Sequence, residues 1–265
     1  MPLVTLPDIR LNARLDGPPD APVLIFSHAL GTDLSIWDGV LAQLGPGFRT
    51  LTYDQRGHGA SDVPAPPYAM GTLITDLERL MDHFALKDAV VIGVSLGGLV
   101  AQGLAVKRLD LVRALVLSNT AARIGTPDLW HRRIAEVRAT GLDTYAEGAL
   151  LRQLGPRHQT HPSAPTLRAL LTRTDPDGWT GCAAAIAGAD FYTTTATLRL
   201  PTLAIAGDND GSTPPDLVRE TAALIPGHHF TLMRGAGHLP MVEKPAEYAA
   251  LLQDFLTRIG HTPTR

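Results

Sequence analysis

A serine set among glycines is the first feature with chemistry in it: Gly93-Val94-Ser95-Leu96-Gly97, with Gly98 directly after. The residues before it, Val90-Val91-Ile92, form a β-branched apolar run that reads as a buried strand. Leu99 to Val106 reads as a buried helix. A strand that turns sharply into a helix with serine at the apex is a nucleophile elbow. Gly93 and Gly97 are small because side chains there would collide where strand and helix cross. The apex residue must hold a strained backbone. Such a turn serves attack of the Ser95 hydroxyl on an acyl carbon, with N–H groups of the helix's first turn aimed at the reacting carbonyl. The competing reading is a glycine-rich turn with Ser95 as an ordinary helix cap, and partners elsewhere in the chain decide against it.

A serine hydroxyl is a weak nucleophile at neutral pH and needs an oriented base. Two later loops, each following an apolar strand, offer one. Gly235-Ala236-Gly237-His238-Leu239-Pro240 presents His238 between loop residues, and Gly207-Asp208-Asn209-Asp210-Gly211-Ser212-Thr213-Pro214 presents two carboxylates. Asp210 lies further out and is taken as the acid that orients His238. Asp208, nearer the strand end, is the alternative and suits a brace for the turn. His58, in Arg56-Gly57-His58-Gly59, also follows a strand but reads as a residue that fixes loop geometry. His158 and His161 read as surface residues. For a developing oxyanion, the expected donors are the backbone N–H groups of Leu96 and of Leu30, in His28-Ala29-Leu30-Gly31. This chemistry needs no metal and no cofactor, and no histidine lies in a spacing that suggests a metal site.

These loops need a sheet whose strands end at one edge. Val23–Ser27, Thr50–Tyr53, Val90–Val94, Ala114–Ser118, Pro201–Ala206 and His229–Met233 read as strands, with Ile9–Leu15 an edge strand before them. Helical segments alternate with them near Ser35–Leu44, Thr72–Phe84, Asp216–Leu224 and Pro245–Ile259. That alternation implies an α/β fold with a largely parallel sheet covered on both faces. From 123 to 195 strand-type runs vanish and helices dominate. The expected organisation is therefore a core of 1–122 and 196–265, with residues 123–195 a helical lid inserted over the sheet edge that binds ligands.

Composition excludes other classes. With 45% hydrophobic residues the chain can bury a substantial core, and a net charge of −3 offers no basic face for nucleic acid or anionic lipid. A single cysteine, Cys182, rules out a disulfide framework. The start, Met1 to Asp8, lacks the pattern of a signal peptide, and no apolar run approaches the roughly 20 residues of a membrane helix. The expectation is a cytoplasmic enzyme with a small-molecule partner, neither membrane nor nucleic acid.

The order Ser95, Asp210, His238, together with Asp54-Gln55-Arg56-Gly57-His58-Gly59-Ala60-Ser61 and Gly207-x-x-Asp210-x-x-x-Pro214, resembles the α/β-hydrolase superfamily over essentially the whole chain. Leu30–Trp37, Ser118–Trp130 and Thr174–Ile186 resemble the 3-oxoadipate enol-lactonases more narrowly. The resemblance implies hydrolysis of a small anionic lactone in aromatic catabolism through an acyl-enzyme on Ser95. Arginines crowd the lid (Arg132, Arg133, Arg138, Arg152, Arg157, Arg168, Arg173), so substrate-carboxylate binding is expected from Arg132 and Arg133, with Trp130 lining the pocket. A general carboxylesterase or lactonase, with perhydrolysis as side chemistry, is the alternative. Carbon–carbon hydrolysis of dienoic ketones uses similar triads, and a receptor that kept the fold would show no ester turnover.

Overall fold

The computed structural model describes residues 3–263, without the side chains of Pro156 and Arg157. The chain begins with β1 (Val4–Thr5), β2 (Arg10–Leu11), β3 (Ala13–Asp16) and β4 (Val23–Ser27). It continues through α1 (Asp38–Leu44), β5 (Arg49–Tyr53), α2 (Met70–His83), β6 (Ala89–Val94), α3 (Leu96–Lys107) and β7 (Val112–Ser118). Four helices follow: α4 (Pro127–Leu154), α5 (Ala164–Arg173), α6 (Pro176–Ala187) and α7 (Tyr192–Thr195). The sheet then resumes with β8 (Thr202–Gly207), α8 (Pro215–Ala223), β9 (His229–Met233), α9 (Pro240–Glu243) and α10 (Pro245–Arg258).

Seven strands form the main sheet in the order β3-β5-β4-β6-β7-β8-β9, antiparallel only between β3 and β5. Strands buried on both faces need apolar residues at every position. In β4, Leu24 and Phe26 join the apolar layer that includes Tyr248 and Leu252 of α10, whereas Ile25 joins the layer built with α2 and α3. Strand order reverses between β4 and β6, and a crevice opens beyond the strand ends at such a reversal. Ser95 follows β6 and the Leu30 loop follows β4, so both lie at that crevice.

Two expectations shift locally. The edge strand expected over 9–15 breaks at Asn12, whose N–H donates to Ser61 Oγ at 2.9 Å and whose Nδ2 donates to Asp54 Oδ2 at 2.7 Å. These bonds turn the chain, and β2 pairs with β1 in a separate two-stranded sheet. The helix expected from Ser35 begins as a 3-10 turn over Leu34–Trp37, because Asp33 Oδ1 accepts the Ser35 N–H at 2.9 Å and sets a tight start. Among the described residues, no helix is long and apolar enough to cross a membrane.

Candidate active site

Ser95 has φ 54° and ψ −116°, a conformation that side-chain-bearing residues rarely adopt. The strain persists because the surroundings fix it: Ser95 N–H donates to Ser118 O at 3.1 Å, and Thr120 Oγ1 donates to Ser95 O at 2.7 Å. A Cβ on Gly93 would stand 2.3 Å from Gly97 O, and one on Gly97 would stand 2.1 Å from Ser27 O. Both glycines are therefore required by close backbone approach. Leu96 is the first residue of α3, so its N–H has no intrahelical acceptor.

The second donor loop is held by two histidines. The turn from Ala29 to Thr32 closes with Thr32 N–H on Ala29 O at 3.3 Å and needs Gly31 at φ 72°. Gly31 N–H donates to His58 Nε2 at 3.0 Å, and Gln55 N–H donates to His28 Nε2 at 2.9 Å. The loops after β4 and β5 are thus cross-tied through two imidazoles that must stay neutral to accept. Burial drives the His58 pKa down to about 3, helped by the neighbouring His28, and burial lowers His28 as well. Leu30 N–H is left with no acceptor among the described residues, beside the cavity that Leu30 and Ser95 both line.

The structure brings His238 and Asp210 together. Nδ1 of His238 lies 2.8 Å from Asp210 Oδ2, which leaves Nε2 for the cavity that His238 shares with Ser95. Asp210 is 4% exposed, and every lone pair has company. Oδ1 accepts N–H bonds from Ser212 at 2.7 Å and Thr213 at 3.1 Å. Oδ2 accepts from Thr213 Oγ1 at 2.7 Å and Asn119 Nδ2 at 2.8 Å besides His238. Burial opposes ionisation, but His238 and these donors outweigh it and hold the Asp210 carboxyl below its ordinary range. Asp208 is exposed and accepts the Gly235 N–H at 2.6 Å, the bracing role of the alternative.

The far wall of the cavity comes from the helical segment. Trp130 lines it while its Nε1 donates to Ile124 O at 2.6 Å, and the Arg133 guanidinium sits 4.8 Å from the Trp130 ring centroid. Arg132, expected beside Arg133, is exposed and absent from the cavity. One step along a helix turns a side chain by about 100°, so only the i, i+3 pair Trp130 and Arg133 shares the inner face. Tyr145, Ala149 and Arg152 line the cavity at i, i+4 and i+7, and Arg152 Nη2 donates to Tyr145 Oη at 2.8 Å. Arg138, Arg168 and Arg173 do not line it. The Arg157 side chain lies outside the described set. His158, expected at the surface, is buried with Nε2 2.7 Å from Glu147.

Sequence reasoning overlooked Asn119, Thr213, Tyr145 and Glu243. Asn119 carried a usable signal, a polar residue directly after a buried strand at the edge that holds Ser95. Glu243 accepts N–H bonds from Gly237 at 2.8 Å and Leu239 at 3.2 Å, the two neighbours of His238. Burial raises its carboxyl pKa.

Comparison with known proteins fits this arrangement. The chain is 33% identical over 261 residues to "3-oxoadipate enol-lactonase 2" of Acinetobacter baylyi, covering 97% of each chain. The crystal structure of the enol-lactonase from Burkholderia xenovorans LB400 superposes with a TM-score of 0.91 at 33% identity, over 97% of this chain and 100% of that one. A thermophilic esterase from Thermogutta terrifontis, solved with malate bound, gives a TM-score of 0.88 at 30% identity over 98% and 97%. The model of the alpha/beta hydrolase fold family matches residues 22–245. A match over that much of the chain, beside a relative at 33% identity along nearly its full length, makes this protein a member of the α/β-hydrolase fold family.

Proposed function

We propose that this chain is a serine hydrolase that opens a small anionic lactone, 3-oxoadipate enol-lactone in particular, through an acyl-enzyme. The observation that carries the reading is the pairing of opposite walls in one cavity. Ser95 and His238 stand on the sheet side, and Arg133 and Arg152, neither in an ion pair among the described residues, stand on the helical side. Two unneutralised guanidinium groups above a nucleophile suit a substrate with a carboxylate at one end and a reactive acyl group at the other. The enol-lactonase relatives and the malate in the esterase neighbour agree with a small anionic ligand. In this reading residues 123–195 form the lid over the site.

Ser95 Oγ attacks the lactone carbonyl while His238 Nε2 takes its proton and Asp210 steadies the imidazolium at Nδ1. The oxyanion is held by the N–H groups of Leu30 and Leu96. As the tetrahedral intermediate collapses, the ring C–O bond breaks and His238 returns its proton to the enol oxygen. The enol then relaxes to a ketone. Water deprotonated by His238 attacks the Ser95 ester, and as the acyl C–Oγ bond breaks His238 returns that proton to Ser95 Oγ, releasing the second carboxylate. No metal or cofactor enters the scheme.

The test is turnover of 3-oxoadipate enol-lactone beside a neutral lactone and p-nitrophenyl acetate, with Ser95→Ala as control. Preference for the anionic lactone by orders of magnitude in kcat/KM is expected. Equal or faster rates on the neutral compounds would favour a carboxylesterase of small neutral esters, which the apolar wall of Leu30, Ile124, Leu171 and Trp179 suits.

A further inference from the structure

The loops that carry the acid and the base are joined by one side chain that neither loop supplies. Asn119 follows β7, has no exposed surface, and holds φ 45°, a left-handed conformation that asparagine tolerates better than most residues. Its N–H donates to Ile205 O at 2.8 Å, and Ser118 Oγ donates to its Oδ1 at 3.3 Å, which fixes which way the amide faces. The two Nδ2 protons are then spent on different loops. One goes to Asp210 Oδ2 at 2.8 Å, the other to the carbonyl of Gly237 at 3.1 Å, directly before His238.

We propose that Asn119 is a positioning residue for catalysis, a strut that sets Asp210 and His238 against each other and keeps the carboxylate ionised. This rests on the hydrolase reading above. A donor to a buried carboxylate favours its charged form, so removing that donor makes the acid–base pair bind protons more tightly. The Gly237 bond adds a second effect, since it ties the backbone of the base to the same amide that orients the acid. Other charged groups around the pair act elsewhere: Glu243 clasps the Gly237 and Leu239 N–H groups, Asp208 holds the Gly235 N–H, and Arg152 accepts the Gly211 N–H through its carbonyl. Thr213 Oγ1 also reaches Asp210 Oδ2 at 2.7 Å and His238 Nδ1 at 3.4 Å, but from within the acid's own loop, whereas Asn119 ties the two loops together from the end of β7.

Two variants test the strut. N119A deletes both donors. N119D keeps the shape and the tolerance for φ > 0, but a carboxyl can serve Asp210 only while it holds a proton, and it brings a second negative charge beside Asp210 when it loses it. Expected for N119A is a kcat lower by on the order of tenfold to a hundredfold with KM little changed. The acid limb of kcat/KM should move to higher pH in both variants, further in N119D. Carbon-13 titration of the Asp210 carboxyl in aspartate-labelled protein should show its midpoint raised in N119A, a readout that needs no turnover.

Folded variants with wild-type kcat, acid limb and Asp210 midpoint would overturn the proposal. So would a loss of rate and melting temperature with limb and midpoint unmoved, which is what a purely structural turn residue would give. If the wild-type chain turns over no ester yet the Asp210 midpoint rises in N119A, the hydrolase reading fails and the electrostatic strut stands.

Discussion

In the sheet core Arg56 is 5% exposed, with Nε and Nη2 donating to the two oxygens of Asp76 at 2.6 and 2.8 Å. In the helical segment Arg133 is half-buried against the Trp130 ring and has no carboxylate partner among the described residues. Burial weakens its hold on its proton, and the nearby Arg152 adds to that. The two regions treat the same side chain in opposite ways. Where the fold must be rigid, a desolvated charge is matched by a bidentate partner, because a buried charge left alone is costly. At the cavity wall the charge is left without a carboxylate match, which under the proposed function the substrate supplies. The same division holds for backbone donors: those of the core are spent in the sheet and turns, whereas Leu30, which lines the cavity, has an N–H with no acceptor among the described residues.

Experiments can press on this contrast from both sides. If Ser95 is the nucleophile proposed above, Ser95→Ala should cut kcat by about 10⁴-fold or more, since nothing on the rigid side replaces it. Stopped-flow and steady-state ester assays read this directly, and residual turnover near wild type would move the chemistry away from the elbow. Asp76→Ala should destabilise the fold by about 3–5 kcal/mol in denaturant titration, because it strands the Arg56 charge. Arg133→Met should instead change stability by no more than about 0.5 kcal/mol. Similar losses in the two variants would erase the contrast between the regions. On the ligand side, Arg133→Met and Arg152→Met should each lower kcat/KM for the anionic lactone by about ten- to a hundredfold. Rates on a neutral ester should hold. An equal loss on both substrates would mean that these arginines shape the pocket and do not read charge.

A further effect concerns pH. His28 and His58 are neutral in the folded chain, and the unfolded chain protonates them near the ordinary value of 6.5. Between that value and about 3 for His58, the unfolded state binds more protons, so stability falls as pH falls through this window. His58 steepens the slope by up to about 1.4 kcal/mol per pH unit, and His28 acts in the same direction. His58→Gln keeps an acceptor for Gly31 N–H and should flatten the slope between pH 6 and 4. An unchanged slope would show that the cross-tie does not titrate.

The sheet was legible because each central strand is apolar on both faces, a pattern that Val90–Val94 and Leu203–Ala206 share and that helices of this length do not produce. The elbow was legible because its glycines answer a steric demand carried in three residues. Asp210 could be separated from Asp208 only by reach, and the structure buries Asp210 against His238 Nδ1 while Asp208 is exposed. Asn119 was legible only as a polar residue at the end of a buried strand, since its two partners lie 91 and 118 positions away. Arg132 misled because a run of adjacent arginines gives no helical phase, and the phase of α4 is set by Trp130 packing inward. The break at Asn12 likewise depends on Asp54 and Ser61, which no local pattern announces.

Helix α4 is interrupted at Gly141, where φ 79° and ψ 168° divide it in two. Its second half is laced to both catalytic loops, with Gly211 N–H on Arg152 O at 2.8 Å and His238 N–H on Gln153 O at 2.7 Å. Its first half carries Trp130 and Arg133 and, among the described residues, has no such lacing to those loops. Heritable change in the two halves therefore has different consequences. Residues before the break can be exchanged, one mutation at a time, through a lineage of working enzymes whose diet shifts. After it the backbone is tied to the loops of Asp210 and His238, so a change that shifts that backbone is answered in turnover, while one confined to the Arg152 guanidinium is answered in taste.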